Sequence, residues 1–327
     1  MSESRINSFL NSGICLVVSG VITTALSYYF YQTGSYTAGS FRGLLTAEGL
    51  TPPTGLLSWF ANLLTVGANT ALIALINKRH TFIREYTHIH ATAYLILTLS
   101  IPSLSVGICP ANICTLLFLV ATAALFNGYQ KKHYRSYIFL ICLLLSAGSM
   151  ISYAFIPFAV MFLIGFFQMQ LMSAKGLTAM IIGLFTPYWI ILGLGICNLE
   201  QLQFPAISFT TEQYLAIVKS PFMLHVALSV ICGATFGIAN VFQLMSYKLQ
   251  LRSFNGFFTI VALLSTALLF IDIANIGTYL AAINVCLAIQ MAHFFTIHSF
   301  QKGYILLLLL YVANIACSTT FSILELF

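Results

Sequence analysis

Apolar runs of 16–25 residues recur along the chain and are separated by breaks that carry polar residues, Pro or Gly. Most breaks are short, but 32–54 and 198–220 are longer. Most runs are close to the roughly 20 residues that an α-helix needs to cross a bilayer, and they are continuous rather than alternating. The pattern therefore predicts an all-α, polytopic transmembrane helix bundle with eleven spans. The predicted spans are 9–31, 55–77, 89–107, 111–128, 136–152, 155–170, 177–197, 221–245, 254–271, 274–296 and 304–324.

Composition supports this class, because 60% of the residues are hydrophobic and only 6% are charged. A soluble domain carries about 25% charged residues, so a soluble fold of this size could not cover its surface. We interpret 9–31 as an uncleaved first helix and residues 1–327 as a single integral membrane domain. Short loops and the lack of a Walker or GxGxxG motif argue against an ATP-driven pump on this chain alone.

Positive charge alternates between the segments that join the spans. If the N-terminus is cytoplasmic, the outer segments hold only Arg42 and Lys219 of the thirteen Lys and Arg residues. Lys131, Lys132 and Arg135 then mark a cytoplasmic turn. This bias predicts that the N-terminus is inside and the C-terminus outside. It also explains the net charge of +6 without a nucleic-acid partner.

Two neighbouring spans, 136–152 and 155–170, are short enough to leave their arrangement open. They are either two spans or one re-entrant hairpin that turns near Pro157. Pro102 and Pro187 also interrupt predicted spans. Each proline frees backbone carbonyls, and this either lines a cavity or kinks the bundle.

Ionisable residues inside a membrane are the usual markers of function, but no Lys, Arg, Asp or Glu lies near the middle of a predicted span. The substrate-binding candidates therefore lie at the outer face. They are Arg42, Glu48, Lys219, His225 and Asp272. An arginine suits a lipid phosphate, and a carboxylate suits a base or a metal contact. Solvated helix ends and a hydrogen-bonded interfacial histidine are the structural alternatives.

The remaining six histidines all fall on the predicted cytoplasmic side: His80, His88, His90, His133, His293 and His298. Membrane iron oxygenases gather histidines at one face, because imidazole binds iron well. The spacings here are not those of such enzymes, and carboxylates are scarce. None of the eight cysteines forms a CxxC pair, and we interpret them as buried apolar side chains. We predict no metal site and no cofactor.

Residues 111–197 carry a resemblance to known proteins. The stretch "SAGSMISY", the short proline-bearing helix after it, a basic turn and "GLFTPYW" resemble an uncharacterised family of multi-pass inner-membrane proteins from Bacteroidota. The short-helix pattern is also similar to membrane glycosyltransferases and polysaccharide polymerases that use polyprenyl-linked sugars. That likeness implies acidic or arginine residues on outer loops at the lipid phosphate, where this chain has Arg42, Glu48, Glu212 and Lys219.

In line with this resemblance, the leading hypothesis is a cell-envelope protein of the bacterial inner membrane that engages a membrane lipid, or a polyprenyl-phosphate-linked glycan, at its outer face. A small-molecule transporter, a histidine-metal membrane oxygenase and a non-catalytic structural subunit are the alternatives. The sequence leaves open whether the protein is an enzyme, and it assigns neither a substrate nor a protein partner.

Overall fold

The computed structural model describes residues 11–34, 41–43, 53–83, 87–131, 133–195, 222–244 and 248–297, together with positions 9, 215, 309, 310, 312, 313 and 316. Every named element in these ranges is helical, which confirms the all-α class. The helices are α1 (Gly13–Thr33), α2 (Gly55–His80), α3 (Ile89–Leu99), α4 (Pro102–Ser105), α5 (Pro110–Gly128), α6 (Tyr134–Ile151), α7 (Phe158–Gln168), α8 (Ala174–Gly193), α9 (Phe222–Leu244), α10 (Leu249–Ile271) and α11 (Ile276–Ile297). Single 3₁₀ turns lie at Tyr153–Phe155 and Ile273–Asn275.

Eight of the described helices are long and apolar enough to cross a membrane: α1, α2, α5, α6, α8, α9, α10 and α11. They correspond to eight of the predicted spans, and they identify a multi-pass membrane protein. The predicted span 304–324 lies almost entirely outside the described residues, so the total of eleven stays a prediction.

The predicted span 89–107 is divided in the structure. Its first part, α3, has 11 residues and a length of about 16 Å, which is half of a bilayer core of roughly 30 Å. Pro102 disfavours helical geometry at the residue before it, and Ile101 is accordingly extended. The chain then makes the short helix α4, turns, and begins α5 at Pro110.

The predicted span 155–170 is also shorter than expected. After α6, Ser152 is extended, and a 3₁₀ turn at Tyr153–Phe155 leads into α7, which has 11 residues. Pro157 lies immediately before α7, where its lack of an N–H does no harm. By contrast, Pro187 is accommodated within the single helix α8.

The helix ends form two faces of different charge. The rings of His80, Phe126 and Phe254, from the ends of three helices, contact one another, and Tyr134 hydrogen-bonds Ser173 at 2.8 Å. We call this face the basic end, since it carries all the described lysines and arginines apart from Arg42. These cations are Lys78, Arg79, Lys131, Arg135, Lys175, Lys248 and Arg252. The other face is called the opposite end.

Helix α11 lies at the centre of the bundle and packs against α3, α5, α9 and α10. It is the most deeply buried of the described spans. Aromatic rings fill the space between α5, α7 and α10, with Phe126 and Phe254 stacked at a centroid distance of 4.1 Å. Helices α6 and α8 approach closely where Gly183 of α8 meets the Phe139 carbonyl. The small and aromatic residues therefore set the helix spacing that frames the site described below.

Candidate functional site

The turn between α3 and α5, residues 100–109, gives the opposite end its most irregular backbone. A broken helix leaves carbonyls without helical partners, and carbonyls that are buried in the bundle, such as that of Leu104, cannot bind water instead. Two buried asparagines take that role. Asn62 Nδ2 donates to the Leu104 carbonyl at 2.8 Å, while Asn112 Nδ2 donates to the same carbonyl at 2.9 Å and to Asn62 Oδ1 at 2.8 Å. These residues hold the turn in place.

A wider polar network ties the first helices to the same turn. Ser27 Oγ donates to the Ser105 carbonyl at 3.1 Å and accepts from Trp59 Nε1 at 2.9 Å. Asn69 Nδ2 donates to the Asn112 carbonyl at 3.0 Å. This network was not predicted from the sequence, because its members are neutral and the candidate residues were chosen by charge. The available signal was three asparagines within apolar runs.

Beside this turn lies a cavity of about 200 Å³, which we call the end cavity. Three segments that are distant in sequence form it: residues 103–111, the start of α9 at Phe222, and residues 274–278. Its polar lining comes from Ser103, Asn275 and Thr278, and the buried Ser103 hydroxyl has no hydrogen-bond partner in the described part of the chain. The end cavity therefore presents neutral polar groups within an apolar wall.

The thiol that lines the end cavity is not a nucleophile at neutral pH. Cys109 lies in the turn just before α5 and is fully buried. Burial raises the pKa of the Cys109 thiol to about 11, because the thiolate loses its hydration. The thiol is therefore protonated at pH 7, and only the thiolate is reactive.

Asp272 stands at the end of α10, as the sequence predicted. Its Oδ2 accepts hydrogen bonds from Asn275 Nδ2 at 2.9 Å and from the Tyr279 hydroxyl at 3.0 Å. The carboxylate thus organises the turn into α11 and positions Asn275, which lines the end cavity. This arrangement makes Asp272 a support for the cavity wall.

His225 lies one turn into α9, and its side chain is fully buried. It is on the same helix as Phe222, whose side chain lines the end cavity. His225 and Asp272 therefore both belong to the opposite end of the bundle, on segments that contribute other residues, Phe222 and Asn275, to the end cavity.

Arg42 belongs to the same end but is held through its backbone. Its carbonyl accepts a hydrogen bond from the Tyr153 N–H at 2.9 Å, and its side chain is exposed. Packed residues connect this turn to Asp272. The Phe158 ring stacks on Tyr279 with the ring centroids 6.4 Å apart, and the Tyr279 hydroxyl donates to Asp272. The other two predicted site residues, Glu48 and Lys219, lie outside the described residues.

The histidines of the oxygenase alternative are spread over the basic end. His80 lies at the end of α2, His88 precedes α3 and His133 precedes α6, whereas His298 falls outside the described residues. Across the described ranges, no group of three or more His, Cys, Asp or Glu residues is placed to hold a metal ion.

Comparison of the chain with protein-family models, with curated proteins and with solved structures found no match.

Proposed function

We propose that the protein is a multi-pass component of the bacterial inner membrane and cell envelope that binds the polar part of a lipid or lipid-linked glycan at its opposite end. The observation that carries this proposal is the end cavity, whose hydroxyl and amide groups suit the hydroxyls of a sugar or a glycerol headgroup. In this arrangement the basic end faces the cytoplasm, in keeping with the distribution of lysine and arginine.

The size of the end cavity limits what it can enclose. Its volume of about 200 Å³ is below the roughly 300–1,000 Å³ of pockets that surround a drug-sized ligand. It fits the terminal part of one headgroup, with the hydrocarbon chains remaining in the bilayer. Arg42 supplies a guanidinium at the same end for a lipid phosphate, and Glu48 and Lys219 complete the proposed outer site.

The chemistry of the described lining favours binding over catalysis. Cys109 presents a neutral thiol, and the Asp272 carboxylate already accepts two hydrogen bonds. Whether the protein is also an enzyme is left open by the proposal.

A small-molecule transporter is the second candidate. The observation in its favour is the break between α3 and α5, because discontinuous helices line the substrate sites of many transporters. Here the freed Leu104 carbonyl is bonded by Asn62 and Asn112. A transporter would move a solute across proteoliposomes, whereas a lipid-binding envelope protein would not.

Native mass spectrometry of the full chain, released in mild detergent with added polyprenyl phosphate or phosphatidylglycerol, tests the proposal. We expect a retained phospholipid-class adduct in the wild type, and its loss in Ser103→Phe, which fills the end cavity. Ser136→Phe is the matched control, since Ser136 is exposed at the basic end. Equal retention in Ser103→Phe and the wild type would place the lipid elsewhere and reject the site. Stoichiometric iron would instead support the oxygenase alternative.

The proposed phosphate contact has its own test in the same experiment. The double variant Arg42→Gln/Glu48→Gln should lose the adduct while Ser136→Phe keeps it. Full retention in the double variant would remove both residues from the site.

A further inference from the structure

A second and larger cavity lies between α9 and α10, with α11 as its floor. Its volume is about 520 Å³, and we call it the lateral cleft. Ile238, Phe242 and Leu263 line its mouth and are exposed on the side of the bundle. The lateral cleft therefore opens toward the hydrocarbon of the bilayer rather than toward water.

Small side chains create the space. On α9, Gly233, Ala234 and Gly237 face the lateral cleft, and on α10, Ala262 and Ala267 do so. Helices α9 and α10 pack more extensively against α11 than against each other, so a gap remains between them. Small residues alone are common at helix contacts in membranes and do not define a site.

A buried amide at the floor of the lateral cleft is the feature that points to a ligand. Gln290 is 5% exposed, and its Oε1 has no hydrogen-bond partner in the described part of the chain. A Cβ built on Gly237 would lie 3.4 Å from this atom, so the absence of a side chain at Gly237 leaves room beside the amide. An acceptor buried away from water normally has a donor, and the lateral cleft is where the donor would enter.

The other polar groups of the lateral cleft do not fill this role. The hydroxyls of Thr259 and Thr266 donate within their own helix, to the carbonyls of Asn255 at 3.0 Å and Ala262 at 2.8 Å. Asn240 Nδ2 donates to the backbone carbonyl of Gln290 at 2.9 Å, which fixes α11 against α9. The Gln290 backbone is thus held in place, while the buried side-chain Oε1 has no donor within the described part of the chain.

The depth of Gln290 limits the chemistry of the ligand. It lies fourteen residues from the start of α11, or about 21 Å at 1.5 Å per residue. The nearer end of α11, at Ile297, is seven residues or about 10 Å away, so this position lies within a hydrocarbon core of roughly 30 Å rather than at its boundary. A fitting ligand is apolar over most of its surface and carries one neutral hydrogen-bond donor.

We propose that the lateral cleft binds a membrane-dissolved alcohol, with the hydroxyl of the ligand donating to Gln290 Oε1 and its hydrocarbon lying between α9 and α10. The volume is in the range of about 300–1,000 Å³ that encloses one small-molecule ligand. The hydroxyl can belong to a long-chain alcohol or to a fused-ring alcohol, which share this chemistry. The proposal goes beyond the end cavity and does not depend on it.

The test is photolabelling of the full chain in lipid vesicles with diazirine-bearing hexadecanol and with the matched diazirine-bearing hexadecane. We expect the alcohol to label residues 230–242 and 259–270 about five times more than the alkane at equal membrane concentration, which corresponds to one net hydrogen bond. In Gln290→Leu the two probes should label equally. In the control Gln168→Leu, which removes a half-buried glutamine at the end of α7, the preference should persist.

A second variant keeps the test decisive if Gln290→Leu does not fold. Ala267→Phe fills the lateral cleft from α10 and should remove labelling by both probes. Equal labelling by alcohol and alkane in the wild type would overturn the proposal, as would undiminished labelling in Ala267→Phe. Competition by unlabelled hexadecanol indicates a chain alcohol, and competition by an unlabelled sterol indicates a ring alcohol. Competition by neither would also overturn it.

Discussion

The backbone carbonyl of Arg42 accepts a hydrogen bond of 2.9 Å from the Tyr153 N–H, and the two segments form a short parallel bridge at Ser152. The segment around Arg42 is therefore docked on the turn between α6 and α7 through main-chain atoms. Gly43 makes this possible, because a Cβ at that position would clash with the Met150 carbonyl oxygen. The guanidinium itself stays exposed and available.

This docking separates the effects of two neighbouring substitutions. Gly43→Ala should lower the stability of the protein by about 1–3 kcal/mol, because the backbone must move to admit the methyl group. Arg42→Gln should leave stability unchanged, since only the Arg42 backbone is bonded. Thermal unfolding in detergent measures both. Equal melting temperatures for the two variants would mean that the 41–43 segment is not docked in solution.

The paired asparagines at the helix break predict a larger loss of stability than their neighbours. Asn112→Leu removes two donors and leaves the Asn62 oxygen without its bond, at a cost of about 1–3 kcal/mol. Thr115→Val is the matched control one turn along α5. Its hydroxyl donates only to the Ala111 carbonyl of the same helix, at 2.8 Å. Chemical unfolding should give Asn112→Leu a clearly lower free energy of unfolding than Thr115→Val. The reverse order would refute the role of the asparagines.

The close contact between α6 and α8 depends on a glycine, Gly183, which has no Cβ to separate the two helices. A Cβ at Gly183 would lie 2.7 Å from the Phe139 carbonyl oxygen and 2.9 Å from Cys142 Cβ, so Gly183→Ala must push the helices apart. We expect the Gly183→Ala protein to have a lower melting temperature than the wild type. Gly67→Ala in α2 is the control, because its added Cβ would have no atom within 4 Å apart from its chain neighbours and the backbone of its own helix. A Gly183→Ala protein as stable as Gly67→Ala would show that the two helices are packed more loosely.

The sequence predicted the long helices well, because each is a continuous apolar run that must satisfy its own backbone in lipid. It did not predict where α3 ends. Pro102 was recognised as an interruption, but the break depends on Asn62 and Asn112, which bond the Leu104 carbonyl from two other helices. Such partners are distant in sequence, and no local pattern identifies them.

In the candidate site too, features set by local sequence were predicted and features set by distant contacts were not. Asp272 was predicted at a helix end, and its partners Asn275 and Tyr279 are within seven residues. The end cavity, by contrast, needs the turn before Pro110, the start of α9 and the start of α11 to meet. The lateral cleft likewise depends on the approach of Gly237 to Gln290. These are tertiary relationships, so local sequence could predict only some of the residues involved.

The hydrogen bonds of Asp272 predict which substitutions the protein tolerates at this position. In Asp272→Asn the side-chain oxygen can still accept from Asn275 and Tyr279, so stability should change little. Asp272→Ala leaves the buried Tyr279 hydroxyl without its acceptor and should cost about 1–3 kcal/mol. Melting temperature and lipid retention should follow the same order. Loss of lipid in a stable Asp272→Asn protein would mean that the charge itself contacts the ligand.

Labelling of introduced cysteines tests the orientation that the proposed function requires. Gln32 lies at the opposite end and Lys131 at the basic end, and both are exposed. A membrane-impermeant maleimide should label Gln32→Cys in intact cells, and Lys131→Cys only after the inner membrane is permeabilised. The native Cys109 should add no background, because burial raises the pKa of its thiol to about 11 and maleimide reacts with the thiolate. Wild-type protein is the control for the other cysteines.

The reverse pattern would place the basic end outside, contrary to the positive-inside rule, and would move the end cavity to the cytoplasmic face. The helix bundle would stand, but binding of an outward-facing headgroup would have to be abandoned.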